Sequence, residues 1–356
     1  MDVGRLAAVP EGHGSTKLGS LVESGQFGRG FAIATRASAA GDATSGTAWS
    51  HPMARRLTSI PLVDVDRLRE LPRSLRRRVC GQEQALDRVA AAVQRRELGA
   101  VPPLGRERCL IFAGPTGVGK TETARAMAEL IFGEGHLHRF DCGEFRTPEA
   151  VASLLGNRAG DRGRFGQAFD AVSKGVWLLD ELEKAHPEFM PLLMAMTDAG
   201  RLTLASGETL DLSKLYLIAT SNLGSAEILG RQHVPFATLE KHVIRSIHRH
   251  FRPELVARFL TPLVFRPLDP DTQIRVVAMH LNRFLEWHAQ RGFRIQAGME
   301  VLRFLVQAGH SSRLGARPLI DAIHQHVGDA LAHQLLGGGS GNGRLVVVGN
   351  RLRLVE

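Results

Sequence analysis

The sequence predicts an α/β domain with a parallel sheet covered by helices, followed by a small α+β domain. Three observations carry that prediction. Three short runs are almost wholly apolar, Cys109-Leu110-Ile111-Phe112-Ala113, Val176-Trp177-Leu178-Leu179 and Leu215-Tyr216-Leu217-Ile218-Ala219, as strands buried on both faces must be. The first run leads into Gly114-Pro115-Thr116-Gly117-Val118-Gly119-Lys120-Thr121, a glycine-rich turn that opens a helix. After Pro267 the alternation of strand and helix gives way to long helical periodicity closed by a hairpin signal.

At 356 residues the chain can bury one large core and a smaller one. Its hydrophobic share of 44% and charged share of 23% are those of a globular protein, and no run approaches the ~18 apolar residues of a membrane span. The N-terminus lacks the apolar segment of a secretory signal. The three cysteines, Cys80, Cys109 and Cys142, have no metal-ligand spacing; they read as reduced thiols in a cytoplasmic protein. The formal charge of +9 is compatible with nucleic acid, an anionic surface or acidic partners. The basic residues are dispersed, however, and clusters such as Arg76-Arg77-Arg78 read as solvated helix faces.

In chain order, residues 1–56 are rich in Gly, Ala, Ser and Thr without a period, and are expected to be a disordered tail; Met53 offers an alternative start. A short amphipathic helix is expected from Val65 to Arg78, broken at Pro72. A second, from Gly81 to about Leu98, places Ala85, Val89, Ala92 and Val93 on one stripe. The helix after the glycine-rich turn, Thr121 to Phe132, faces inward with Ala124, Met127, Ala128 and Ile131. Beyond Pro267, Ile274, Val277, Leu281, Phe284 and Leu285 mark one long helix and Pro318 to Leu336 another. Gly337 to Gly343 reads as a flexible loop. Leu345–Val348 and Arg351–Val355 flank Gly349-Asn350, a two-residue hairpin turn. The expected domains are 57–267 and 268–356.

The turn fits G-x-x-x-x-G-K-[ST]. Its glycines let backbone N–H groups curl around phosphates, Lys120 reaches the β and γ oxygens, and the Thr121 hydroxyl is offered to Mg²⁺. The following helix adds its positive N-terminal end. Asp180-Glu181 closes the second apolar strand. An acid at that strand end can meet Mg²⁺, and Glu181, one residue on, can take a proton from an attacking water. ATP and Mg²⁺ are therefore the expected cofactors. His136/His138 and His248/His250 are isolated His-x-His pairs and read as surface histidines.

Longer motifs carry a family resemblance. They are Thr121-Glu122-Thr123, Leu178-Leu179-Asp180-Glu181-Leu182-Glu183-Lys184-Ala185-His186-Pro187, Gly200-Arg201-Leu202-Thr203, Thr220-Ser221-Asn222-Leu223-Gly224, Phe251-Arg252-Pro253-Glu254-Leu255 and Gly315-Ala316-Arg317-Pro318-Leu319. Upstream stand Thr58-Ser59-Ile60-Pro61 and Val79-Cys80-Gly81-Gln82. From about residue 57 onward the chain resembles the Clp chaperone family of AAA+ ATPases, and within it the second ATPase domain. The resemblance implies a P-loop AAA+ fold with a C-terminal lid domain, ATP hydrolysis, and a homo-oligomeric ring, a hexamer, acting on protein clients. It implies that Val79 and Cys80 flank the adenine and that Asn222 is the sensor orienting water beside Glu181. Arg317 would reach the γ-phosphate from the lid, and Arg258 would be an arginine finger inserted into the neighbouring subunit's site.

The sequence departs from the family in three respects. It has no recognisable N-terminal adaptor domain, first ATPase domain or coiled-coil middle domain. Between Ser225 and His250 there is no Ile-Gly-Phe or Ile-Gly-Leu tripeptide, the loop by which relatives dock on the Clp peptidase. Where relatives carry Gly-Tyr-Val-Gly to grip substrate, this chain has Gly160-Asp161-Arg162-Gly163, so a ring of acids beside a ring of arginines is expected at the pore. The leading expectation is a protein remodeller working without the peptidase. A nucleic-acid remodeller, favoured only by the basic charge, is the second reading, weakened by the lack of a winged-helix or helix-turn-helix segment after the small domain. A regulatory or scaffold ring that switches partners without threading is a further alternative, favoured by the altered loop.

Overall fold

The computed structural model describes residues 64–156, 160–231, 234–311 and 314–356. The expected tail 1–56, the alternative start at Met53 and the segment Thr58-Ser59-Ile60-Pro61 lie outside the described residues.

Helices α1 (Val65–Arg78) and α2 (Glu83–Glu97) precede the first strand, β1 (Cys109–Ala113), and the phosphate-loop helix α3 (Lys120–Phe132). Next come β2 (Leu137–Asp141), α4 (Pro148–Leu155), α5 (Gly163–Ala171), β3 (Gly175–Asp180), α6 (Phe189–Asp198), a hairpin of β4 (Arg201–Thr203) and β5 (Thr209–Asp211), and β6 (Leu215–Ser221). Helices α7 (Ser225–Gly230), α8 (Phe236–His250) and α9 (Pro253–Val256) lead to β7 (Leu263–Val264). Beyond Pro267 stand α10 (Pro270–Ala289), β8 (Ile295–Ala297), α11 (Met299–Ala308), α12 (Arg317–Leu336), β9 (Gly343–Val348) and β10 (Arg351–Val355).

The main sheet has the order β2-β3-β6-β1-β7, and its pairs are parallel. Alternation along the strands divides two cores. Ile111, Trp177, Leu179, Leu217 and Ala219 join one face with Phe165, Phe189 and Met196. Phe112, Val176, Leu178, Tyr216 and Ile218 join the other with α1, α2 and α3. Each strand therefore has to be apolar at every position, which is why these three runs stand out in the sequence. A third core, around Val277, Leu281, Leu305, Ile323 and Val327, belongs to the C-terminal part. There β8 pairs parallel with β9, and β9 pairs antiparallel with β10, Val348 opposite Arg351, around the expected Gly349-Asn350 turn.

Pro72 does not break α1, contrary to expectation: the helix runs through it. A proline here leaves the carbonyl of Leu68 without its helical donor. Gln94 of α2 supplies one, its Nε2 donating to Leu68 O at 2.8 Å, so a tertiary hydrogen bond replaces the one the ring removes. The arginine cluster at the end of α1 is likewise spoken for. Arg76 pairs with Asp87 and Arg78 with Glu129, at a helix C-terminus that favours cations. No described helix is long and apolar enough to cross a membrane. All three cysteines are free thiols, Cys109 and Cys142 buried and Cys80 half-buried.

Candidate nucleotide-binding site

The topology brings the site together. Strands β3, β6 and β1 are neighbours, and their C-terminal ends deliver Asp180-Glu181, Ser221-Asn222 and Gly114 to one edge, where ligands of open parallel sheets bind. A cavity of about 520 Å³ opens there, lined by residues of the phosphate loop, β3, β6 and the C-terminal part.

The loop from Gly114 to Thr121 turns on glycines that no side chain can replace. Gly117 has φ +73°, and a Cβ on it would stand 2.2 Å from the Leu314 carbonyl. Gly119 has φ +105°, and its Cβ would meet Val79 at 2.8 Å. The loop therefore exposes backbone N–H groups at the start of α3, while its other side is packed against the C-terminal part. The contact is bonded: Ala316 N–H donates to Gly117 O at 2.9 Å. Arg317, the next residue and the first of α12, lines the cavity.

Lys120 is buried, and its ammonium donates to Gly114 O, to Pro115 O at 2.7 Å and to Asn222 Oδ1 at 2.9 Å. Burial pushes its pKa down to about 8; Glu183, Asp180 and Glu181 oppose this, and Arg317 adds to it. A phosphate chain would relieve that desolvation with a full countercharge. Asp180 is nearly buried and accepts a hydrogen bond from the Thr220 hydroxyl. Glu181 has φ +56° and is the sole non-glycine residue with positive φ among the described residues. Strain of this kind, of order 1–3 kcal/mol, persists where neighbours over-determine it. Here Glu181 N–H donates to Thr220 Oγ1 at 3.0 Å, Asn222 Nδ2 donates to Glu181 Oε1 at 3.0 Å, and Lys184 pairs with Oε2. Asn222 N–H in turn donates to Glu183 Oε1 at 2.9 Å.

The glycine cradle, the buried cation and the adjoining carboxylates fit a nucleotide polyphosphate, and Thr121 and Asp180, both lining the cavity, fit its metal. Val79 and Cys80 line the cavity too. Burial raises the Cys80 thiol above its usual range, so it stays protonated and apolar at neutral pH. Of the expected site residues, Arg258 does not line the cavity: its Nε stands 2.7 Å from Asp198 Oδ1 on the surface. Asp161 and Arg162 also stand away from it. Asp161 Oδ1 accepts from Gly163 N–H at 2.8 Å. Arg162 is held by Glu208, Nε to Oε2 at 2.8 Å and Nη2 to Oε1 at 2.6 Å, and by Asp170. Arg162 is thus paired within its own chain. Sequence reasoning missed Thr220, Glu183 and Arg139. Thr220 and Glu183 belong to the family motifs at 220–224 and 178–187, whose pattern assigns them no role. Arg139, whose Nη2 lies 2.7 Å from Asp180 Oδ2, sits in β2, a strand whose pattern gave no signal.

The Lys120 environment makes a pH prediction. A native pKa near 8 lies below the usual lysine value of ~10.4. Between those values the unfolded chain binds the proton and the folded chain does not, so this group favours folding increasingly as pH rises through that window. Phosphate binding needs the ammonium, so nucleotide affinity should move the other way. Binding of a fluorescent ADP analogue is expected to weaken from pH ~7 to pH ~9; a flat profile would contradict the assignment.

Comparisons with known proteins match two successive segments of the chain. Residues 106–261 match the family described as AAA domain (Cdc48 subfamily), and residues 268–348 match the C-terminal, D2-small domain, of ClpB protein. The chain is 34% identical over 293 residues to the chaperone protein ClpB of Vibrio vulnificus (strain YJ016), covering 79% of this chain and 34% of that protein. It is 34% identical over 307 residues to ClpC, the ATP-binding subunit of the ATP-dependent Clp protease of Staphylococcus epidermidis, covering 82% and 38%. Heat shock protein 100 of Trypanosoma brucei brucei is 36% identical over 296 residues, covering 79% and 34%. The chain thus spans little more than a third of the length of these relatives. Among solved structures, a closed-state reconstruction of Hsp104 with ATPγS and casein superposes with a TM-score of 0.74 at 30% identity, covering 82% of this chain and 52% of that one. The Saccharomyces cerevisiae Hsp104–ADP complex gives 0.72 at 31% identity, covering 80% and 51%. With both domains matched in order and the phosphate loop, acidic strand end and Asn222 converging on one cavity, the chain belongs to the Clp chaperone family of AAA+ ATPases.

Proposed function

We propose that this chain is the motor of an ATP-driven protein remodeller that acts as a closed homo-oligomeric ring, a hexamer, in the cytoplasm and without the Clp peptidase. The observation that carries this reading is the joint between loop and lid: Ala316 N–H on Gly117 O, with Arg317 beside it in the cavity. A nucleotide in that cavity touches both parts, so its arrival and loss change the angle between them. The proposed division is 57–267 for the nucleotide-binding domain and 268–356 for the lid.

In this reading the P-loop amides and Lys120 bind the phosphates, Thr121 and Asp180 hold Mg²⁺, and Val79 and Cys80 flank the base. Bound Mg²⁺·ATP supplies the scissile phosphoanhydride and its charge neutralisation. Glu181 takes the proton of the attacking water, Asn222 orients Glu181 through the Nδ2–Oε1 hydrogen bond, and Arg317 senses the γ-phosphate. Arg258, lying outside its own cavity, serves the neighbouring subunit, and head-to-tail contacts of that kind close into rings. The Hsp104 structures with casein support a protein client.

The altered grip supports a restricted client. Asp161 stands where relatives carry the gripping tyrosine, Arg162 beside it is engaged by Asp170 and Glu208, and burying a carboxylate against an apolar chain is costly. We therefore expect the parent to unfold a generic tagged globular protein slowly in ATP. Asp161→Tyr should speed this about three- to tenfold, the equivalent of the ~0.5–1.5 kcal/mol an aromatic contact adds. A parent as fast as the variant would refute the altered grip. No unfolding by either would favour the regulatory ring, for which the same loop is the supporting observation.

A further inference from the structure

Both oxygens of the Asp180 carboxylate are taken. Oδ1 accepts from the Thr220 hydroxyl, and Oδ2 lies 2.7 Å from Arg139 Nη2. The two partners differ in freedom. Thr220 is buried in the central strand β6, 1% exposed, and its branched side chain has few rotamers. Arg139 comes from the edge strand β2. Its side chain is 49% exposed, and its other carboxylate neighbour, Asp141 Oδ2, is 4.0 Å away. Asp141 is itself engaged, accepting from Gly143 N–H at 2.9 Å. Of the two partners, Arg139 is the one that can leave.

The charge balance gives that movement a purpose. A carboxylate as buried as Asp180 is costly without a cation. Lys120 does not serve it: its ammonium is spent on Gly114 O, Pro115 O and Asn222 Oδ1. Arg139 lines the same cavity as Thr121, Asp180 and Glu181, so it occupies the approach by which a metal would reach Oδ2.

We infer that Arg139 is a positioning residue that stands in for the metal: it keeps Asp180 paired and in place while no Mg²⁺ is bound, and must release Oδ2 when Mg²⁺·nucleotide arrives. The inference rests on the reading of Asp180 as the metal-facing carboxylate. The guanidinium competes with Mg²⁺ for one oxygen, so it sets the Mg²⁺ concentration at which the site loads and keeps Asp180 compensated between turnovers.

The test titrates Mg²⁺ into the full chain with a fluorescent ADP analogue and measures melting in EDTA. Arg139→Gln removes the competitor. The Mg²⁺ concentration for half-maximal analogue binding should fall three- to tenfold, on the order of a charge-assisted hydrogen bond discounted for its half-exposed partner. Melting in EDTA should drop below the parent's, and saturating Mg²⁺·ADP should close the gap. Arg139→Lys, with a charge on a shorter stem, should load at an Mg²⁺ concentration between the two. A half-point for either variant at or above the parent's would overturn the inference. Weaker analogue binding by Arg139→Gln at saturating Mg²⁺ would overturn it too, since Arg139 would then be a nucleotide ligand. A parent whose analogue binding ignores Mg²⁺ would instead refute the metal reading of Asp180 itself.

Discussion

Arg258→Ala is expected to bind ATP as the parent does and to hydrolyse it about 10³–10⁵-fold more slowly, the range over which arginine fingers act. The residue follows α9, reaches none of its own chain's cavity, and rests on Asp198 at 2.7 Å with both side chains about 40% exposed. An ion pair so exposed contributes ~0–1 kcal/mol to stability, so the variant should melt close to the parent. Loss of turnover with retained binding and stability is what removal of a group acting on the transferred phosphate produces. Turnover within a few-fold of the parent would place Arg258 among ordinary surface arginines.

Glu181→Gln is expected to retain nucleotide and to slow hydrolysis by at least ~100-fold, since general-base catalysis contributes 10²–10⁴. The amide matches the carboxylate in shape, so Thr220 and Asn222 can still hold the backbone at φ +56° and keep the side chain in place. What the amide cannot do is accept the water's proton. Single-turnover hydrolysis separates this from a binding defect: a chemical step near the parent's rate would remove Glu181 from the role.

The contrast between what was and was not legible in the sequence is physical. Strands β1, β3 and β6 were legible because a sheet packed on both faces requires apolar residues throughout. The phosphate loop was legible because positive φ and close packing fix its glycines, and Lys120 follows them as the first residue of α3. Strand β2 was not: it lies at the sheet edge and buries fully only Phe140, so Leu-His-Arg-Phe-Asp shows neither alternation nor an apolar run. Arg139 went unseen with it, as did the link to Asp180. Strand β7, only two residues long, is below the length any period can register. Pro72 misled because its compensation comes from Gln94, some twenty residues away in another helix. The partners of Arg162, Asp170 and Glu208, are likewise brought to it by the fold. Local rules identify elements and motifs; which charges cancel is decided by tertiary contacts.

The central claim is that ATP is hydrolysed at subunit interfaces, with the base from one chain and the finger from the next. The most direct measurement mixes Arg258→Ala with Glu181→Gln and follows ATP hydrolysis. Each variant alone should be nearly inactive. In mixed rings some interfaces combine an intact Glu181 with an intact Arg258, so activity should reappear and peak near equal proportions. No recovered activity, in samples where mixed oligomers are verified by differential labelling, would contradict a shared site and return Arg258 to a role within its own chain.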